Sequence, residues 1–389
     1  MKSPAKKILL LGWASLIFGI SGPYVCAQTA SAFPKAEASS NAASTNIGVF
    51  RDQYTRHVER RVLGALARKK MWDGPTAGPL ANQGKTVVYI AADLRNGGVS
   101  GVANGVNEAC LVIGWRCQVW DGQGSLEVRT LAFQKALKAN VDGVVLGGFD
   151  ANEQSIALKE ANRKKIPVVG WHSSGTAAGA SELFYNVATN SQDVAEATAL
   201  YAVLESRGNA GIVIMTDSTY SIALAKSDAM ARIVKNCRGC TLLGIENIPM
   251  ANAAQLMPSL TAGFMQKYGA QWTHTLAIND VYFDFMKPTL EAAGFQPMNL
   301  SAGDGSTTAY ERIRKYQFQA GTVPEPLNLH GWQIVDELNR AMSGTVPSGY
   351  NTPVHLVTPQ TILFDGGQNN NFDPDNGYRT EYKKIWFRR

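Results

Sequence analysis

From residue 85 onward the chain alternates between short runs that read as buried strands and longer runs with helical apolar spacing, and no other feature constrains it as tightly. Strand patterns fall at Thr86 to Ala91, Gly143 to Leu146, Gly211 to Met215 and Thr273 to Ile278, with weaker ones at Cys117 to Trp120, Pro167 to Val169 and Met298 to Ala302. Helical patterns between them cover Val99 to Ile113, Val128 to Ala139, Ala151 to Lys164, Gln192 to Ser206, Ile222 to Asn236 and Ala253 to Lys267. Strands followed by helices of this length build parallel sheets covered on both faces, because parallel neighbours need a long crossover connection. The set runs twice, over residues 85 to about 189 and 190 to about 326, which predicts an α/β protein of two similar Rossmann-like lobes. Two further strand-like stretches follow at Leu327 to Leu329 and Pro353 to Val357. One helix start is well marked, since Asp150 can cap it while Glu153 completes a capping box.

The N-terminus reads as an export signal. Lys2, Lys6 and Lys7 precede an apolar run from Ile8 to Ile20, and Val25-Cys26-Ala27 offers small residues for cleavage after Ala27. The run is shorter than the roughly 20 residues a membrane span needs, and the Pro23-Tyr24-Val25 context of Cys26 does not resemble a lipid-anchor motif. Loss of three lysines and no acid lowers the formal charge of +6 by three, so charge gives no reason to expect nucleic acid as a partner. Residues 28 to about 46 are Ala/Ser-rich and read as a tether. Val49 to Lys70 then forms a basic amphipathic helix, with Phe50, Tyr54, Val58, Val62 and Leu66 on one side; packing on the first lobe is the plainer expectation, membrane or partner docking the other. Tyr382, Ile385, Trp386 and Phe387 near the C-terminus suggest a tail strapped onto a lobe.

Four cysteines remain after cleavage, Cys110, Cys117, Cys237 and Cys240, an even number that permits two disulfides in an exported protein. Redox Cys-x-x-Cys pairs open helices, where the dipole lowers a thiol pKa. Cys237 and Cys240 instead close one, ahead of a strand-like Thr241-Leu242-Leu243, which points to a structural turn, bridged or not.

In open α/β sheets ligands lie beyond the carboxyl ends of the strands. The loops there carry Asp93-Leu94-Arg95-Asn96-Gly97-Gly98, Gly147-Gly148-Phe149-Asp150 and Trp171-His172-Ser173-Ser174 in the first half. The second half has Asp217-Ser218-Thr219-Tyr220-Ser221, Asn279-Asp280 and Gly303-Asp304-Gly305. Hydrogen-bonding side chains recur at every one. A carboxylate accepts from two vicinal hydroxyls and an asparagine both donates and accepts, so this set suits a polyol edge. Phe149, Trp171, Tyr220 and Tyr282 are the aromatic faces available to cover a ring.

The strings "KTVVYIA", "VDGVVLGGFD", "IPVVGWHS", "THTLAIND" and "LSAGDGS", in this order over residues 85 to 364, resemble the type I periplasmic binding proteins, in particular their ribose- and sugar-binding branch. The resemblance implies two lobes joined by a three-segment hinge, crossing near Ala188 to Asn190, Pro326 to His330 and Leu356 to Pro359 and closing on a ligand. It divides the chain into a signal peptide (1–27), the tether and basic helix (28–84), a first lobe (85–189 and 327–355), a second lobe (190–326 and 356–364) and a tail (365–389). By position, Asn279 and Asp304 match the second-lobe pair that grips sugar hydroxyls, and Asn96 matches the first-lobe asparagine. Asp93, Phe149, His172, Ser173, Asp217 and Tyr220 complete the expected contacts. Departures accompany the matches. Gly98 and Val99 stand where the ribose binders place a stacking aromatic pair, His172-Ser173 replaces an Asp-Arg pair, and the stretch Tyr220 to Lys226 replaces an arginine-bearing helix start.

Enzyme motifs are missing: there is no G-x-x-x-x-G-K-[ST], H-E-x-x-H or G-x-S-x-G, and His57, His172, His274, His330 and His355 show no metal-ligand spacing. The expectation is a monomeric, cofactor-free periplasmic substrate-binding protein delivering a sugar-like solute to the membrane permease of an ABC importer. The alternatives are a sensing subunit that presents its ligand to a membrane receptor or kinase, and a binder of a non-sugar small molecule. A sugar-responsive repressor of this fold would need a DNA-binding head where the export signal stands.

Overall fold

The computed structural model describes residues 43–174 and 182–388, so the expected signal segment and most of the tether lie outside the described residues. The chain divides into two compact units, 1–49 and 50–389. In the first, the described residues open helix α1 (Ala43–Leu66); everything below concerns the second.

The first sheet contains β1 (Thr86–Ala91), β2 (Arg116–Asp121), β3 (Gly143–Gly147), β4 (Val168–Trp171) and β5 (Tyr185–Val187), in the order β2-β1-β3-β4-β5 and parallel throughout. Helices α2 (Gly97–Ile113), α3 (Leu126–Lys138) and α4 (Ser155–Arg163) connect these strands. After α5 (Ser191–Glu205), the second sheet contains β6 (Gly211–Thr216), β7 (Thr241–Asn247), β8 (His274–Ala277), β9 (Met298–Ser301) and β10 (Gly321–Thr322), with α6 (Ser221–Asn236), α7 (Ala253–Tyr268), α8 (Val281–Ala293) and α9 (Thr307–Arg314) between them. Its order, β10-β9-β8-β6-β7, is that of the first sheet read from the other edge, and it too is parallel. Helix α10 (Leu327–Met342) and helix α11 (Tyr378–Phe387) complete the chain. This is the two-lobed α/β architecture the alternation predicts.

Two separate cores follow from the two sheets. The first gathers Val87, Tyr89, Val144, Val169 and Val187 with Leu327, Trp332 and Leu338 of α10 and Tyr382 and Trp386 of α11. The second gathers Ile212, Met215, Leu276, Phe283 and Leu300 with Leu356. The chain therefore passes between cores at 187–194, 323–327 and 350–356, and again around the two added segments.

Several expectations are corrected. Leu327 to Leu329 is the first turn of α10 and not a strand. Its Leu-Asn-Leu mimics strand alternation, but Pro326 precedes the turn with a fixed φ of −77°, an angle that suits helix entry. Pro353 to Val357 contributes a single antiparallel bridge, Val357 to Thr322. The basic helix packs on the second core rather than the first: Val58, Val62 and Ala65 are buried there, and Arg61 reaches Asp193 (3.2 Å) and Glu196 (2.9 Å) on α5. Apolar spacing defines a helix's buried face but not the surface that receives it, which here α5 supplies with matching acids. The capping box is half formed. Asp150 Oδ1 accepts from Asn152 N–H at 2.9 Å, whereas Glu153 turns to Arg129 (2.6 Å). Both disulfides are present, Cys110–Cys117 joining α2 to β2 and Cys237–Cys240 closing the turn from α6 to β7.

Helix α10 lies against α2 so closely that a Cβ at Gly331 would stand 2.6 Å from Gly105 Cα, a contact only glycine permits. Its next turns bury Asp336 and Glu337. Glu337 accepts from Ser348 N–H (3.1 Å) and from the Ser348 hydroxyl, yet burial pushes its carboxyl up to about 7. An acid whose folded pKa is raised loses stability as pH climbs from its unfolded value, near 4.5, to its folded one, and carries the full penalty above both. Glu337→Gln, which keeps an acceptor for Ser348, should therefore stabilise the protein at pH 8 by about 3 kcal/mol and leave it nearly unchanged at pH 4.5. Urea melts at the two pH values check this; an equal effect at both would refute it.

Candidate ligand cleft between the lobes

In a sheet of order 2-1-3-4-5 the strands flanking the reversal of winding leave a crevice between their carboxyl ends. Here that point lies between β1 and β3 in the first lobe and between β6 and β8 in the second. The loops after those strands meet across one cavity of roughly 420 Å³, counting its open mouth, lined by Asn96, Val99, Gly148, Trp171 and His172 on one side and by Tyr220, Lys226, Met250, Asn279 and Asp304 on the other. That size accommodates a small ligand.

Each polar wall residue is held by its local fold. Asn96 caps α2, its Oδ1 accepting from Gly98 N–H (2.8 Å) and Val99 N–H (3.4 Å), which leaves the amide NH₂ as its donor face. Asn279 accepts from Val281 N–H (3.0 Å) and donates through Nδ2 to Asp304 Oδ2 at 2.8 Å. Asp304 is buried, which raises its carboxyl pKa along with the repulsion of Glu325; Lys226, His172 and the Asn279 bond pull the other way. Asp280, beside Asn279, anchors the Asp304 loop by accepting from Gly305 N–H at 2.7 Å and from Gln319 at 2.6 Å, and burial lifts its carboxyl to about 6. The Lys226 ammonium donates to Ala302 C=O at 2.6 Å and is itself 3% exposed. His172 sits at φ +51°, a left-handed conformation rare for a non-glycine residue, with its ring stacked on Trp171 at 4.1 Å.

The lobes are closed over this cavity. Ser221 of the second lobe donates to Asp150 of the first at 2.7 Å. Asp304 Cβ and Cγ lie 2.7 and 2.8 Å from where a Cβ on Gly98 would stand. The departure at Gly98 thus has a steric reason, since the volume that an aromatic side chain would enter already holds the Asp304 carboxyl group.

Of the residues singled out in the sequence, Asn96, His172, Tyr220, Asn279 and Asp304 come together in the cavity wall, joined by Trp171 and Lys226. Four others lie outside that wall. Asp93 is bound to Arg95 by its guanidinium (2.5 Å) and backbone N–H (2.9 Å). Phe149 is fully buried beneath the Arg129 guanidinium, 5.0 Å from the ring centroid. Ser173 is fully buried, its hydroxyl donating to Leu146 C=O (2.9 Å). Asp217 organises its own loop, accepting from Thr219 (2.6 Å) and Met250 N–H (2.8 Å). Tyr282 is likewise core, donating to Ile248 C=O at 2.7 Å. Sequence reasoning missed Met250, which the loop after β7 delivers; the strand-like Thr241-Leu242-Leu243 was the available signal for that loop.

A second hollow, of roughly 660 Å³ including open solvent, lies between the end of α1, residues 350–355 and the 364–376 segment. Its buried polar groups face one another, with His355 Nε2 3.1 Å from Asp365 Oδ2 and stacked on Phe372, so it reads as a structural seam. Among the described residues no cluster of three or more His, Cys, Asp or Glu side chains has metal-binding geometry, and no helix is long and apolar enough to cross a membrane.

No curated protein matches the chain. Solved structures do, and three of them at low identity are as follows. A solute-binding protein of an ABC transporter from Agrobacterium vitis, with bound allitol, superposes with TM-score 0.62 at 18% identity, covering 72% of this chain and 97% of that one. One from Bacillus halodurans with bound myo-inositol gives 0.62 at 17% identity over 72% and 96%. A sugar ABC transporter structure from Yersinia enterocolitica gives 0.65 at 14% identity over 80% and 100%. These show a shared fold. The model of the periplasmic binding protein domain matches residues 87–345, well over half the chain, and the two sheets, their matching strand order and the cleft between them all lie within that span: the chain belongs to the periplasmic binding protein domain family.

Proposed function

We propose that this chain is the substrate-binding protein of an ABC-type importer, taking a small polyhydroxylated solute in the cleft and delivering it from the periplasm to a membrane permease. The observation that carries the reading is the buried Asn279–Asp304 pair, hydrogen-bonded at 2.8 Å and facing Asn96 and His172 across one cavity. A carboxylate backed by an amide presents two acceptors and a donor to vicinal hydroxyls, while Trp171 and Tyr220 offer flat surfaces to a carbon skeleton. Similar folds are described with allitol, myo-inositol and glycerol bound, ligands that share only their hydroxyl groups. The role is binding and release, without chemistry on the solute.

The test is a thermal-shift screen of the mature protein against pentoses, hexoses, allitol, myo-inositol and glycerol, with amino acids and aromatic acids as the opposing set. At least one polyhydroxylated compound should raise the melting midpoint in a saturable way. Stabilisation by non-hydroxylated compounds alone would remove the polyol assignment.

A further inference from the structure

Two runs of chain lie outside the matched residues 87–345 and outside the cleft: one from α1 to residue 83, the other from residue 357 to the end of α11. Each is anchored on both lobes. Val58, Val62 and Ala65 of α1 are buried in the second core, while Trp72 packs on the first, its ring 5.1 Å from that of Tyr350 and 5.4 Å from that of Tyr382. In the other run Ile362 packs with Tyr310 and Ile313 of α9 in the second lobe, whereas Tyr378, Tyr382 and Trp386 belong to the first core. Three passages and these two runs therefore all connect one lobe to the other.

Both runs are fastened to the third passage, 350–356. Where that passage enters the second lobe, Leu356 N–H donates to Ala65 C=O at 2.8 Å. Where it leaves the first, the Tyr350 hydroxyl donates to Asp73 at 2.8 Å. Residues 65–73 thus run beside 350–356 in the opposite direction, bonded to it at each end. The second run reaches the same passage through Asp365, 3.1 Å from His355 Nε2, and through Phe372, whose ring stacks on His355 at 4.6 Å. Asp373, next in the chain, accepts from the Tyr378 hydroxyl at 2.8 Å on the first-lobe side. Arg68 lies 3.6 Å from Asp365 and links the two runs to each other.

We propose that the two runs form a splint over the third passage that restrains the lobes near their closed arrangement, so that the free protein opens less than three passages alone would allow. Hinge motion is absorbed by φ/ψ changes in a few residues of the connecting segments. In 350–356 such changes have to carry both bonded runs with them, and the two ends of each run are packed into different lobes. All these contacts coexist with the bond from Ser221 of the second lobe to Asp150 of the first, so the closed arrangement is the one they hold. Apparent affinity scales with the fraction of molecules in the binding-competent arrangement, and a splint that keeps this fraction high tightens binding without touching the ligand. The splint does not depend on which solute the cleft takes.

The test gives both runs slack. A flexible insert of about six Gly/Ser residues between Lys70 and Met71, and another between Phe372 and Asp373, keeps every anchoring side chain and adds only a small loop-closure cost. Small-angle X-ray scattering of the ligand-free mature protein should match the closed arrangement for the wild type and a more open one for the variant. Identical scattering from the two, or a wild type already open, overturns the proposal. Should the double insertion fail to fold, the single insertion beside the exposed Met71 decides by the same comparison, and Tyr350→Phe, which deletes only the bond to Asp73, should shift the scattering in the same direction. If slack lowers the closed fraction to about a tenth, the variant binds the best polyol of the screen about tenfold more weakly. A screen without hydroxylated hits would sink the polyol reading alone, because the scattering comparison uses no ligand.

Discussion

Asp304→Ala should abolish stabilisation by every polyol that stabilises the wild type, while the ligand-free protein melts where it did or slightly higher. In the free protein the carboxyl group is buried and its pKa is raised, so its removal relieves a desolvation cost as it deletes the bond from Asn279. On the proposed reading the same group is the acceptor for ligand hydroxyls in the complex. Hydrogen bonds to a charged group contribute about 1.5–3 kcal/mol each. Loss of two such bonds lowers affinity by about 10² to 10⁴. Calorimetric titration of wild type and variant with the best polyol from the screen measures this directly. Asp304→Asn, which keeps the volume that packs against Gly98 and loses the charge, should fall between the two. An unaltered titration in the alanine variant would remove Asp304 from the site.

Trp386→Ala should cost about 3–5 kcal/mol, the range for deleting a buried aromatic ring. Trp386 is 1% exposed, stacked on Trp332 with centroids 5.4 Å apart, and donates through its indole N–H to Asp336 at 2.9 Å. Asp336 is also paired with Arg340 (2.7 Å), and burial raises its carboxyl pKa, so loss of the indole donor leaves a buried acid with one partner fewer. Natural domains are stable by only about 5–15 kcal/mol, so the substitution consumes a large share of the first lobe's margin. Because the second core contains none of these residues, calorimetry should resolve a first-lobe transition at lower temperature from a second-lobe transition near the wild-type position. A single unshifted transition would show that α11 is dispensable.

The order of the elements was legible because burial on both faces writes near-continuous apolar strands into a parallel sheet, as in Thr86–Ala91 and Gly211–Thr216. The short strands Tyr185–Val187 and Gly321–Thr322 escaped, being two or three residues long and without alternation. Residues of the cavity wall were legible where the strand-end rule applies directly, as with Asn96, Asn279 and Asp304. The rule names loops, however, and not the direction each side chain takes within one. Asp93 and Asp217 occupy equivalent loops but turn back on Arg95 and Thr219, and a sequence read locally does not separate a carboxylate that caps its own turn from one that faces a cleft.

What residue order alone determined was the architecture: two repeats of strand and helix, and hence two parallel sheets whose carboxyl ends carry polar loops. Only the tertiary structure decided which of those loops converge, that the basic helix rests on the second lobe, and that Glu325 sits between His172 and Thr189. The physical reason is range. Hydrophobic periodicity acts within a few residues and is written locally, whereas the position of a buried charge depends on partners more than a hundred residues away, which come together only when the lobes are packed.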